Sequence, residues 1–413
     1  MVKKSSVKWI ILFAFITILL PCGVFAEDLE LISDKYIFYN LNDNKILMQK
    51  NENEETQVAS LTKIMTTIVA IENIENFDEK VTITKEMVNN IEWDVAKIGL
   101  KAGDIVTYND LLYGAILSSG ADCVNALAIS ISGSYLEFVK LMNNKAKDLK
   151  LEHTHFENVV GLYSKENYST AYDMAEILKY SLKSKKFKQI FETKEYTLTN
   201  GKKIKSTLKA YNKKVGEDIS YITGAKTGYI KLAGNCLAST ATIDNVNYLL
   251  VTLNAYSSKK SPHILDAVST YKYFSSNYSY KSILEKNDVI INLKTKYAKE
   301  KNIDIHSNQE YKYYLKNDFN KENLEYEYDG VNEISFFTKN GTILGKVKIK
   351  LNNETLKTFD LIYNEKLTFS LISFLWINKI YVIVIALFMI LILKLKKKRK
   401  IKRRRLRTKV GYN

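Results

Sequence analysis

Ser60 and Lys63 are one helical turn apart in Val58-Ala59-Ser60-Leu61-Thr62-Lys63-Ile64-Met65-Thr66-Thr67, a run that reads as the start of a helix. Residues at this spacing share a helix face. A serine hydroxyl is a weak nucleophile until a neighbouring base takes its proton, and a lysine amine does this once its pKa is lowered. The helix N-terminus adds unpaired backbone N–H groups and partial positive charge near Ser60, where an oxyanion could develop. The same pair also fits an exposed helix face. Ser-x-x-Lys recurs at Ser5, Ser206, Ser257 and Ser269 of this lysine-rich chain, so specificity has to come from other residues.

Two later stretches supply it. Ser118-Ser119-Gly120-Ala121-Asp122 lies between helical stretches, and Lys226-Thr227-Gly228 is the only Lys-Thr-Gly in the chain. Ser-x-x-Lys, a serine triplet and Lys-Thr-Gly form the signature of penicillin-binding proteins and class A β-lactamases. The flanks narrow the match: Ala59-Ser60-Leu61-Thr62-Lys63-Ile64-Met65-Thr66, Asp110-Leu111-Leu112-Tyr113-Gly114 and Gly224-Ala225-Lys226-Thr227-Gly228. Asn158-Val159-Val160-Gly161-Leu162 and Ser169-Thr170-Ala171-Tyr172-Asp173-Met174-Ala175 are further landmarks. From about Tyr36 to the C-terminal apolar segment the chain closely resembles the D-alanyl-D-alanine carboxypeptidases, the low-molecular-mass penicillin-binding proteins of serine peptidase family S11.

The resemblance implies acyl transfer from the D-Ala-D-Ala end of a peptidoglycan stem peptide to Ser60, with β-lactams as inhibitors. Lys63 would be the general base, and a like charge from Lys226 in a desolvated cleft would favour its neutral form. Ser119 would relay a proton to the leaving nitrogen. Lys226 and Thr227 would hold the terminal carboxylate. Gly228 would let substrate lie close to its strand, and the N–H groups of Ser60 and Tyr229 would form the oxyanion hole. No metal or organic cofactor is implied. The family's triplet usually ends in asparagine, and here Ala121 stands in that place. Two readings follow: an active carboxypeptidase with altered rate or substrate choice, or a membrane-tethered wall-binding or scaffold protein with a degenerate site. A β-lactamase would need a deacylating glutamate in a Glu-x-x-Leu-Asn-like loop, and none occurs between Gly133 and Thr223.

The composition fits an exported, membrane-attached protein. The chain has 413 residues, enough for two domains, and its 46% hydrophobic content excludes global disorder. The net charge of +16 suggests nucleic acid until its distribution is read. Residues 394–413 hold twelve Lys or Arg, residues 1–26 hold three, and residues 27–393 are left with only +1. The excess belongs to membrane flanks, so no nucleic-acid partner is expected. Cys123 and Cys236 are compatible with a disulfide or with two buried thiols. His153 and His155 lack zinc-ligand spacing and read as structural or surface residues.

Residues 1–26 read as a signal peptide, with Lys3, Lys4 and Lys8 before an apolar stretch and Val24-Phe25-Ala26 at its end. Lys35 to Lys50 reads as a β-hairpin around Asn42-Asp43-Asn44. A mostly helical centre follows, with Thr107 and Thr170 as caps, each with Asp three residues on. Strand signals return from Glu195 to Leu253, and Val268 to Phe274 reads as a closing helix. The fold class expected is α+β. The resemblance sharpens it to a penicillin-binding-protein-like catalytic domain over 27–284, its antiparallel sheet flanked by helices, followed by a small β-domain over 285–366. Residues 371–393 read as a transmembrane helix interrupted by Asn378 and Lys379, and 394–413 as a basic cytoplasmic tail. The catalytic domain would then lie outside the cytoplasmic membrane.

Overall fold

The computed structural model describes residues 29–89, 91–209 and 216–410, with side chains through 402; the leader expected over 1–26 lies outside the described residues. The chain divides into two compact units after Ser276. The first is built on five strands: β1 (Ser33–Asn40), β2 (Lys45–Lys50), β3 (Ile222–Ile230), β4 (Gly234–Ile243) and β5 (Val246–Ala255). They form one antiparallel sheet in the order β2-β1-β5-β4-β3. β1 and β2 are the expected hairpin. β1 pairs with β5 from Ser33–Ala255 to Asn40–Tyr248, so residues near the two ends of this unit meet in mid-sheet. β3, which carries Lys226, is an edge strand.

Both faces of the sheet are buried, and alternation divides them. Phe38 points to α7 (Pro262–Asn277), where it stacks with Tyr248 and meets Tyr271 and Phe274. Ile37, Tyr39, Leu249 and Val251 point the other way, into the main core. That core is filled by α1 (Thr62–Asn73), α2 (Tyr108–Leu117), α3 (Ala121–Ser132), α4 (Tyr135–Asp148), α5 (Ala171–Ser181) and α6 (Lys185–Glu192). α1 is buried from Thr62 to Ile71, as befits a helix that is central rather than amphipathic. The caps read from the sequence are present. Thr107 Oγ1 accepts from Asp110 N at 3.2 Å, and Asp110 Oδ2 accepts from Thr107 N at 3.1 Å. Thr170 Oγ1 accepts from Asp173 N at 3.0 Å. Each returns a bond to an otherwise unpaired helix N–H.

The second unit begins at Asn277, earlier than the expected boundary at 284. The reason is β6 (Tyr278–Leu284), which pairs with β9 (Tyr311–Lys316) within that unit. β7 (Val289–Lys296) lies between β8 (Asn302–His306) and β11 (Glu333–Ser335). β12 (Ile343–Leu351) lies between β10 (Leu324–Gly330) and β13 (Glu354–Ile362). Their inward residues, among them Ile283, Leu293, Ile305, Val347 and Phe359, form a core of their own. The helix expected over 371–393 is not continuous. α8 (Leu371–Ile377) and α9 (Lys379–Val410) meet at 85°. Asn378 makes the break, its Nδ2 donating to Phe374 O at 2.9 Å and closing the last turn of α8. No single helix among the described residues is long and apolar enough to cross a membrane, but this bent pair has the length and composition when taken together.

Candidate active site

Ser60 sits in a 3-10 turn, Ala59–Leu61, that runs directly into α1. The turn is strained, because Ala59 has φ of 47°, a left-handed value that costs a residue with a Cβ. Gly161 holds it in place: a Cβ there would lie 1.9 Å from Ala59 O, so only glycine allows the approach. β3 also comes close, though less so, since a Cβ on Gly228 would lie 2.9 Å from Ser60 N. Two glycines, one in a loop and one in an edge strand, thus hold the serine backbone from two directions.

One turn on, Lys63 is only 1% exposed, and its Nζ lies 2.9 Å from Ser60 Oγ. Nζ also donates to Val160 O at 2.8 Å. Burial pushes the amine down to about 7. The carbonyl is aimed by Asn158, whose Oδ1 accepts from the N–H groups of Val160, Gly161 and Leu162 while its Nδ2 donates to Leu162 O. Asn158 therefore shapes the loop that orients Lys63.

Ser119 follows α2 and has φ of 58°. Its loop is pinned by Gly120 N to Gly114 O at 3.0 Å and by Ala121 N to Ala96 O at 2.8 Å. Asp122 adds three further bonds, accepting from the N–H groups of Ile98, Gly99 and Leu100. Ser119 Oγ then meets Lys226 Nζ, from β3, at 2.9 Å. Lys226 is fully buried and also donates to Thr227 O at 2.7 Å. Desolvation, and after it the charge of Lys63, push Lys226 well below the usual lysine range. Burial depresses both amines, and Lys63 depresses Lys226 further, so a carboxylate arriving beside Lys226 would favour its charged form.

The structure thus joins Ser60 to Lys63, and Ser119 to Lys226, in one cleft between the helical region and β3. Thr227 is 7% exposed, with Oγ1 donating to Thr207 Oγ1 at 3.1 Å. Tyr229 is 65% exposed at the end of the strand. Sequence reasoning named the Asn158–Leu162 landmark but missed the roles of Asn158, Val160, Asp122 and Thr207. An Asn three residues before a Gly is a loop-capping signal that could have marked the first. Cys123 and Cys236 are buried free thiols. His153 faces Glu55, and His155 faces Glu166 O. Among the described residues no group of side chains could hold a metal ion.

The cleft sets a serine hydroxyl against a buried amine, which makes Ser60 and Lys63 the candidate centre. The chain belongs to the D-alanyl-D-alanine carboxypeptidase family S11, whose sequence profile matches residues 23–257. The profile of the penicillin-binding protein 5 C-terminal domain matches residues 278–368. The D-alanyl-D-alanine carboxypeptidase DacF of Bacillus subtilis is 30% identical over 316 residues, covering 76% of this chain and 80% of DacF. DacD of Escherichia coli is 29% identical, covering 68% of this chain and 73% of DacD. Among solved structures, penicillin-binding protein 6B of Escherichia coli superposes with a TM-score of 0.64 at 24% identity, over 83% of this chain and 98% of that one. Penicillin-binding protein 5 of Haemophilus influenzae gives 0.62 at 22% identity, over 83% of this chain and all of that one. At those identities the two structures speak for the fold alone.

Proposed function

We propose that the chain is a serine-type D-Ala-D-Ala carboxypeptidase, tethered to the cytoplasmic membrane by its C-terminal helices, with the catalytic domain on the outer side and residues 394–413 in the cytoplasm. Ser60 attacks the carbonyl of the penultimate D-Ala, and neutral Lys63 takes its hydroxyl proton. The N–H groups of Ser60 and Tyr229 hold the oxyanion. Ser119 passes a proton to the leaving nitrogen, D-Ala departs, and water releases the acyl-enzyme. Lys226 and Thr227 hold the terminal carboxylate, and Gly228 keeps the strand close to the peptide. The scheme has an internal logic: substrate carboxylate favours the charged form of Lys226, and that charge favours neutral Lys63, the form acylation needs.

The observation that carries this reading is the fully buried Lys63 with its Nζ 2.9 Å from Ser60 Oγ. The test is intact-mass analysis after benzylpenicillin. Wild type gains one adduct, on the peptide holding Ser60, and Ser60→Ala gains none. An adduct that persists in Ser60→Ala would falsify the assignment. Ala121 keeps the wall-binding or scaffold reading in play, because the triplet lacks the carboxamide that the family usually has there. Release of free D-Ala separates the two readings.

A further inference from the structure

One cluster in the second unit serves neither that unit's core nor the cleft. Five aromatic rings meet where β7 and β11 end side by side at Lys296 and Ser335. Tyr297 lies 5.8 Å from Phe337 and 5.2 Å from Phe374 of α8, centroid to centroid. Phe336 lies 5.3 Å from Phe337 and 5.2 Å from Phe369, and Phe369 lies 6.0 Å from Phe374. None of the five belongs to the apolar core of the unit. Phe337 is 59% exposed, and Phe336 and Phe369 are each more than a third exposed. A patch of large rings left in water is unfavourable and marks a contact surface.

The backbone holds the rings there. In the turn Ser335-Phe336-Phe337-Thr338, Ser335 Oγ accepts from Phe337 N at 2.9 Å and Thr338 Oγ1 accepts from Ser335 N at 3.0 Å. Both hydroxyls thus close the turn that displays the two phenylalanines. Phe336 N donates to Lys296 O at 2.9 Å, and Ser370 N donates to Tyr297 O at 3.0 Å, which ties Phe369 and the start of α8 to the same strand end. Charge around the rings is one-sided. Lys299, Lys339 and Lys366 lie two or three residues from a ring, are exposed, and make no ion pair among the described residues. The nearby acids are engaged: Glu300 Oε2 accepts from Thr368 N at 3.0 Å, Glu333 pairs with Lys296, and Glu365 faces His306.

We propose that Phe336, Phe337 and Phe369 form a second membrane contact, one that sinks into the headgroup layer of an anionic bilayer and seats the β-domain on the outer leaflet. The proposal rests on the membrane-tethered reading above. Continuity points to the bilayer as the occupant. Phe374 of the cluster belongs to α8, which leads into the apolar stretch of α9, so a bilayer that takes the helix pair has the rings at its surface. Aromatic rings are enriched at that depth. Lys299, Lys339 and Lys366 supply positive charge beside the rings, which anionic headgroups attract.

The test is fluorescence quenching of the full chain reconstituted into vesicles of phosphatidylcholine and phosphatidylglycerol in equal parts, the lipid being brominated high on its acyl chains. Three chains each keep one tryptophan, with every other replaced by phenylalanine: native Trp376, Phe337→Trp, and Val289→Trp as a control. Val289 is 56% exposed at the far end of β7, about 23 Å from Lys296 at roughly 3.3 Å per residue. Brominated lipid should remove most of the Phe337→Trp emission and leave that of Val289→Trp unchanged. Vesicles of phosphatidylcholine alone should quench Phe337→Trp less, and Lys339→Gln/Lys366→Gln should lower the quenching in mixed vesicles toward that level. If Phe337→Trp does not fold, Phe336→Trp in the same turn carries the same measurement. An unquenched Phe337→Trp beside a quenched Trp376 overturns the seat and leaves the tether standing; a second copy of the chain covering the patch gives this result. Equal quenching of Val289→Trp, or quenching indifferent to phosphatidylglycerol, also overturns the seat. An unquenched Trp376 removes the tether, and the seat with it.

Discussion

Lys63 is useful because burial strips its ammonium of hydration. At about 7, its folded-state pKa lies below the ordinary lysine value, so the neutral amine is present at physiological pH. Protonation of Lys63 removes the base, so penicillin acylation should fall as pH drops through about 7 and level off above it. Stopped-flow acylation across pH 5–9 checks this, and a flat profile would assign the proton to another group. Lys63→Ala should abolish acylation while the chain stays folded, because no other amine lies one turn from Ser60. Ala121 sets a second expectation. A hydrogen bond to a charged group is worth roughly 1.5–3 kcal/mol, so Ala121→Asn should release D-Ala about tenfold to a hundredfold faster than wild type. A slower Ala121→Asn would mean that the site has been rebuilt around alanine. At this scale the sequence was informative wherever a partner lies nearby in the chain, as with Ser60 and Lys63. It was silent on Val160, whose carbonyl reaches Lys63 across 97 residues of separation. A backbone carbonyl has no residue type to read.

The elements around the site act through close approach. Gly161 has φ of +85°, and its Hα leaves the only room for Ala59 O. Gly161→Ala should therefore cost about 1–3 kcal/mol, lower the melting temperature by about 2–4 °C for each kcal/mol, and slow acylation by displacing Ser60. A melting scan and an acylation time course on one preparation decide it, and an unchanged rate would show that the turn is held from elsewhere. The elements that the sequence revealed were those with local chemistry: the hairpin at Asn42-Asp43-Asn44 and the caps at Thr107 and Thr170. β10 was missed although Leu324, Tyr326 and Tyr328 alternate with Glu325, Glu327 and Asp329; three acids in seven residues read as a solvated loop, and only Leu324 of the strand is buried. The break at Asn378 was half visible. The polar Asn378 and Lys379 marked the place, but a 1.5 Å rise per residue says nothing of a bend, and the carboxamide cap that produces it is a matter of geometry.

At the scale of the whole chain, charge is segregated along the sequence rather than over a surface. Twelve Lys or Arg fill the C-terminal part of α9 and the residues after its apolar stretch, and three precede the apolar stretch near the N-terminus, while the residues between carry almost no net charge. Basic residues resist transfer across a bilayer, so on the membrane-tethered reading proposed above both flanks would stay on the cytoplasmic side and the residues between them outside. The anchor carries one complication. α8 is short and turned 85° from α9, so a span has to be assembled from the two helices together. Lys379 sits 4.8 Å over the Trp376 ring at the joint, a cation paired with an aromatic of the kind that settles at headgroup depth. Protease added to intact spheroplasts should digest the domain that holds Ser60 and leave a small membrane-protected fragment ending at the basic tail. Antibodies to the tail and to the catalytic domain read the two products on one blot. Survival of the Ser60 domain, or loss of the tail fragment before lysis, would reverse the orientation and take the wall substrate out of reach.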